Sequence, residues 1–214
     1  MDSSVQVWRQ ETAHSESSGT AGLQYESSLL SLSRWIVFAL LLLPSLMTAR
    51  QLEMDNPYTV EAAFLRNFAH YVTWPREAFS ENPLQWHICI LGRDPFGSIL
   101  DEIVAVRAEQ GRSFVIFRAD KLEDLPQCQI IYIAYTNVQL RRATLAVLKD
   151  KPVLTVSEAK DFLTEGGVLR FQVSDRVGMS INLDQARRSM LQIQTKMLEV
   201  SNEILENGVV RRMR

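Results

Sequence analysis

Tyr58–Pro75 reads YTVEAAFLRNFAHYVTWP, and the rest of the chain can be organised around it. Pro57 just before it suits the first position of a helix, where a missing N–H costs nothing, and Asp55 or Asn56 supplies a cap. Val60, Phe64, Phe68, Tyr71 and Val72 recur at helical spacing and predict one apolar face. Thr59, Arg66, His70 and Thr73 fall on the other side. Pro75 closes the segment, because the residue before a proline is driven out of the α region. Glu61 interrupts the apolar stripe. In the first turn its carboxylate favours the helix dipole, which predicts a solvated edge position.

Upstream of this helix the composition changes. Residues 1–33 are rich in Ser, Thr, Gln and Glu and carry too little apolar surface to offset chain entropy, so a disordered leader or a mis-assigned start is expected there. Arg34, the apolar run WIVFALLLLPSLM (Trp35–Met47) and Thr48-Ala49 then follow the order of a secretory signal, giving a signal peptide over 34–49. The run is short against the roughly 20 residues of a membrane span. Two features depart from that pattern. Only Arg9 offsets Asp2, Glu11, Glu16 and Glu26 ahead of Arg34, and Met47 occupies the cleavage box. A start near Leu23–Leu30, or retention of the run as an uncleaved membrane anchor, are the alternatives. Both put the following domain outside the cytoplasm or at a membrane face.

The chain has 214 residues, 46% hydrophobic and 22% charged, with a formal net charge of −2. That is the profile of a globular domain, and without a basic stripe interleaved with aromatics it excludes nucleic acid as a partner. Cys89 and Cys128 belong to no CxxC or Cys/His cluster, and His14, His70 and His87 are scattered, so local spacing supports no metal site and no cofactor. There is no GxSxG, no cysteine with a placed histidine and no carboxylate pair on one element; Ser157-Glu158 and Asp184 read as caps. An enzyme is not expected.

Beyond Pro75, WHICIL (Trp86–Leu91) reads as a buried strand, Gly92–Gly97 as a loop, Ser98–Val106 as a helix and SFVIFR (Ser113–Arg118) as a second strand. QIIYIAY (Gln129–Tyr135) is a third strand, Val138–Leu148 a helix and Val153–Val156 a fourth strand, after which Ser157 caps a short helix reaching Phe162. This alternation predicts a parallel sheet flanked by helices. The pattern then switches to period two. Val168–Val173 and Val177–Leu183 alternate on either side of Ser174-Asp175, which predicts a β-hairpin. Asp184 caps the next helix and Thr195–Leu205 forms the last. The expected fold is α/β, a mixed and largely parallel sheet with a C-terminal β-hairpin.

Six of these blocks in order resemble the YfiR-like family: AAFLRNFAHYVTWP (Ala62–Pro75), ILGRDPFG (Ile90–Gly97), Gly111-Arg112, CQIIYI (Cys128–Ile133), PVLTVSE (Pro152–Glu158) and GGVLRF…INLDQARRSMLQI (Gly166–Ile193). The resemblance implies a YfiR-like domain over 57–200, with 201–214 left as a C-terminal tail. It further implies an exported, periplasmic regulatory protein that modulates an inner-membrane signalling partner, a diguanylate cyclase or a sensor kinase, with a homodimer as a further option. A small-ligand-binding envelope adaptor is the alternative, and a hydrolase or transferase the more distant one.

Relatives carry cysteines at both positions, so the resemblance also implies a Cys89–Cys128 disulfide and redox control through it. Geometry allows the bond if the two strands are neighbours, and two buried free thiols are the other reading. For a small anionic ligand the candidates are Gly92, Arg93 and Gly97 at a strand-to-helix turn, with Arg112 and Arg170; the same residues also read as a plain turn and solvated bases. Trp74 and Trp86 are either partner anchors or edges of the core. The exposed side of the first helix, with Arg66 and His70, is a candidate contact surface.

Overall fold

The computed structural model describes residues 56–213; the leader and signal-peptide expectations lie outside them. The first helix, α1 (Pro57–Tyr71), starts as its sequence requires, with the Asn56 side chain accepting from the Tyr58 N–H at 3.1 Å and proline in the first turn. It ends four residues short of Pro75. Val72 turns into extended backbone, and β1 (Val72–Thr73) pairs antiparallel with β8 (Gln192–Ile193). The buried face is also rotated from the expected one. Ala62, Leu65, Phe68 and Ala69 face the core, while Val60 stays 41% exposed. Glu61, expected at a solvated edge, is fully buried. Dipole preference is worth well under the burial of a whole helix face, so packing decided the rotation.

The central strands are β2 (Gln85–Leu91), β3 (Ser113–Ala119), β4 (Ile130–Ile133) and β5 (Leu154–Ser157), with α2 (Ser98–Ala105) between β2 and β3 and α3 (Val138–Leu148) between β4 and β5. All four pair in parallel, in the order β3-β2-β4-β5, and β6 (Leu169–Val173) continues in parallel beside β5. Alternation sorts the side chains by face. Ile88, Ile90, Ile130 and Tyr132 join the core formed with α1 and α2. Cys89, Leu91, Ile131 and Ile133 join the one formed with Leu145 and Leu148 of α3 and with Phe162. Helices α2 and α3 thus cover opposite faces. The loops leaving β2 and β4 diverge, which opens a crevice at the carboxyl ends of these strands, where open α/β sheets bind ligands.

The predicted hairpin is present as β6 and β7 (Val177–Asn182), in the register Leu169↔Ile181, Phe171↔Met179 and Val173↔Val177. Three later expectations are corrected. No helix succeeds Ser157; its Oγ donates to the Ile133 carbonyl at 2.7 Å and accepts from the Ala159 N–H at 3.3 Å, fixing a turn. Helix α4 (Leu183–Arg188) is capped by Asn182, whose side chain accepts from the Gln185 N–H, and Asp184 lies inside the first turn. The last helix, α5 (Thr195–Glu199), stops early.

Beyond α5 the chain forms a second hairpin, β9 (Glu203–Glu206) and β10 (Val209–Arg212). Strand β9 runs parallel to β7, so the expected C-terminal tail extends the sheet to eight strands. Asn207-Gly208, both at positive φ, makes the tight turn, and the Asp184 carboxylate accepts from both backbone N–H groups at 2.9 Å. Those bonds hold its carboxyl below the usual range. Among the described residues no helix is long and apolar enough to cross a membrane.

Candidate functional site

The crevice at the carboxyl ends of the parallel strands is a cleft of about 760 Å³. Arg93 and Pro95 follow β2, Tyr132 to Thr136 end β4, and Ser157 to Asp161 follow β5; Tyr58 of α1 closes it from above. A second hollow of about 570 Å³ adjoins it along β6 and shares Tyr58, Glu158 and Lys160 with it.

Beneath the cleft is a group the local sequence does not announce. Glu61 comes from the second turn of α1 and Glu158 directly follows β5, and the Glu158 carboxyl is close enough to Glu61 to raise it. Neither Glu61 oxygen has a donor from the protein. A buried carboxylate facing another carboxyl is costly unless a proton lies between them. Burial first, then Glu158, push the Glu61 carboxyl up to about 9, so Glu61 holds its proton at neutral pH. The neighbouring tyrosines respond to the same charges. The Tyr132 hydroxyl is raised by burial and then by Glu61 and Glu158, that of Tyr58 first by Glu158.

The walls are held rigid. Arg118 ties the β2–α2 loop to β3 by donating to Asp94 at 2.6 Å, Asp101 at 2.5 Å and the Gly97 carbonyl at 3.0 Å. Asp94 also accepts from the Phe96 N–H at 2.7 Å. Gly92, at φ +92°, passes so close to Tyr135 that a Cβ there would sit 3.0 Å from its ring. On the other wall Arg141 forks onto Glu165 at 2.5 and 2.8 Å and donates to the Tyr135 carbonyl at 2.9 Å. Both side chains of this pair are buried.

Of the residues picked from sequence, Arg93 lines the cleft and Arg170 the adjoining hollow. Gly92 and Gly97 shape the loop beside them. Arg112 is at the opposite end of the sheet, its guanidinium 4.2 Å from the Phe79 ring centroid and donating to the Pro83 carbonyl at 2.9 Å. Arg66 and His70 face Glu109, His70 at 3.1 Å. The two tryptophans are core residues. Their rings pack edge-on at 5.1 Å, with Trp74 Nε1 donating to the Gln129 carbonyl and Trp86 Nε1 to the Glu109 carbonyl, both at 3.0 Å. Cys89, within β2, and Cys128, just ahead of β4, are joined in a buried disulfide, Cα to Cα 6.1 Å.

Glu61 and Glu158 escape a sequence reading because they are 97 positions apart (158 minus 61) and no spacing rule joins them. The one available signal is a carboxylate interrupting an apolar stripe. These features define a mixed α/β domain with a polar cleft at the carboxyl ends of its parallel strands and a buried disulfide between β2 and the entry to β4. A family model described as YfiR/HmsC-like matches residues 58–202, and the chain belongs to that family. Among curated proteins none matches the chain.

Proposed function

We propose that the chain is an exported regulatory binding protein that acts on a membrane signalling partner. The observation that carries this is the Cys89–Cys128 disulfide inside a YfiR/HmsC-like domain. A bond of this kind persists in an oxidising compartment such as the periplasm, and it ties the interior of β2 to the segment entering β4. The family resemblance favours a diguanylate cyclase as the partner, with a sensor kinase as the other class. Residues 34–49 would direct export as a signal peptide. Regulation rather than catalysis fits a cleft that the fully buried Glu61 carboxyl does not line.

Capture from detergent-solubilised membranes, with and without reductant, tests this. A signalling protein retained in one redox state and released in the other is the expected result. Capture of no membrane protein in either state would defeat the reading. The cleft supports a second reading, a small-ligand-binding adaptor in which ligand occupancy replaces redox state as the signal.

A further inference from the structure

The two adjoining hollows present acceptors and donors on a shared lining, above a buried acceptor without a partner. Glu61 is fully buried, both its oxygens lack a donor, and its carboxyl is directed at Glu158. Glu158 lines both hollows. Arg170 shares the lining of one hollow with it; its Nε is buried without an acceptor, and its other nitrogens reach the Lys160 carbonyl at 2.6 Å and Glu203 at 3.4 Å. Neither Arg93 nor Lys160 forms an ion pair among the described residues.

Glu158, Arg93 and Lys160 are exposed and open to a ligand, and only the Glu61 oxygens and Arg170 Nε carry the cost of buried polar atoms without partners. A cation entering the site would meet Arg93, Lys160 and Arg170. A simple anion would satisfy those bases and leave Glu158 facing its charge. A neutral polyol would do the reverse. One ligand class satisfies both sides, with an anionic group at one end and hydroxyl donors at the other.

We propose that the joined hollows bind a polyhydroxylated organic acid, its anionic group held by Lys160 and Arg170 and its hydroxyls donating to Glu158. Glu61 is a positioning residue, fixing the Glu158 carboxyl by donating to it. The proposal rests on the cleft alone and is independent of which membrane protein the domain engages.

Three six-carbon probes separate the contributions: gluconate carries both features, hexanoate the anion only, sorbitol the hydroxyls only. Each is titrated into the full chain at neutral pH, with amide and side-chain NMR shifts as the readout. Gluconate is expected to saturate with shifts at Tyr58, Glu158, Lys160 and Arg170, and to bind about tenfold tighter than either control, the scale of one hydrogen bond to a charged group. Glu158→Gln should bring gluconate down to the level of hexanoate, and Lys160→Gln to that of sorbitol. Glu61→Gln, which can still donate to Glu158, should keep the preference for gluconate over hexanoate, and Glu61→Leu should lose it. Equal binding of the three probes, shifts mapping to another surface, or an unchanged preference in both Glu158→Gln and Glu61→Leu would overturn the proposal.

Discussion

The two ends of the central strands are built on opposite terms. At the amino end most prominent polar groups have a partner within the protein, one Arg66 nitrogen being the exception among the described residues. Trp74 donates to the Gln129 carbonyl, and Gln129 accepts from the His87 N–H at 2.7 Å and donates to the Ala78 carbonyl. His87 Nδ1 lies 2.8 Å from the Gln127 carbonyl, and the disulfide ties β2 to the segment entering β4. At the carboxyl end the strongest polar contacts, Arg118 with Asp94 and Asp101 and Arg141 with Glu165, hold the walls apart. The floor between them is left with the buried Glu61 carboxyl, which has no donor from the protein, beside the exposed Glu158. An end that satisfies itself stabilises the fold; an end that does not is available to a ligand.

This contrast can be broken at several points. The largest loss is expected from Glu165→Ala. It strands the Arg141 guanidinium in a buried site and should cost about 3–5 kcal/mol in denaturant unfolding, because the brace of the carboxyl end disappears with its charge uncompensated. Replacing both cysteines by alanine comes next. The bond spans 39 residues, and its loss should lower stability by about 3–4 kcal/mol. Gluconate binding in the cleft should survive in the fraction that remains folded; loss of that binding would mean that bond and cleft are coupled. Trp74→Phe keeps the ring and removes one hydrogen bond, for about 1 kcal/mol and an undisturbed cleft in the amide spectrum.

Glu61→Gln gives the smallest change at acid pH and a growing one above it. The Glu61 carboxyl is raised in the folded state from 4.5 to about 9, so the folded chain holds a proton that the unfolded chain releases. Its contribution to stability is fully present below about pH 4.5 and is lost as pH rises toward 9. The wild type should therefore show a falling thermal midpoint across that window. In Glu61→Gln this slope should flatten, leaving the variant the more stable of the two at pH 8. Parallel slopes would mean that Glu61 does not hold its proton.

Much of the parallel half is legible in the sequence. WHICIL, SFVIFR and QIIYIAY are short apolar β-rich runs between Gly- and Pro-containing breaks, and the helix expected over Val138–Leu148 has those bounds in the structure. Local patterns suffice there because each element repeats one period over its whole length. The β6–β7 hairpin is equally clear from its strict alternation. The β9–β10 hairpin is not, although Asn207-Gly208 is a hairpin turn signal, because Thr195–Leu205 also satisfies a helical period.

The cleft shows where local reading stops. Arg93 and Arg170 can be picked as isolated bases, but nothing in their spacing shows that both reach the hollows around Glu158 while Arg112 stacks on Phe79 at the far end. Their grouping depends on which strands lie side by side, a property of chain crossing rather than of any window of residues. The sequence by itself determined the element types of the parallel half and the β6–β7 hairpin, the α1 start at Asn56-Pro57 and, through six ordered blocks, the family. Only the tertiary structure decided which face of α1 is buried. That choice carried Glu61 from a solvated edge into contact with Glu158, because packing a whole helix face outweighs the preference of one carboxylate for water.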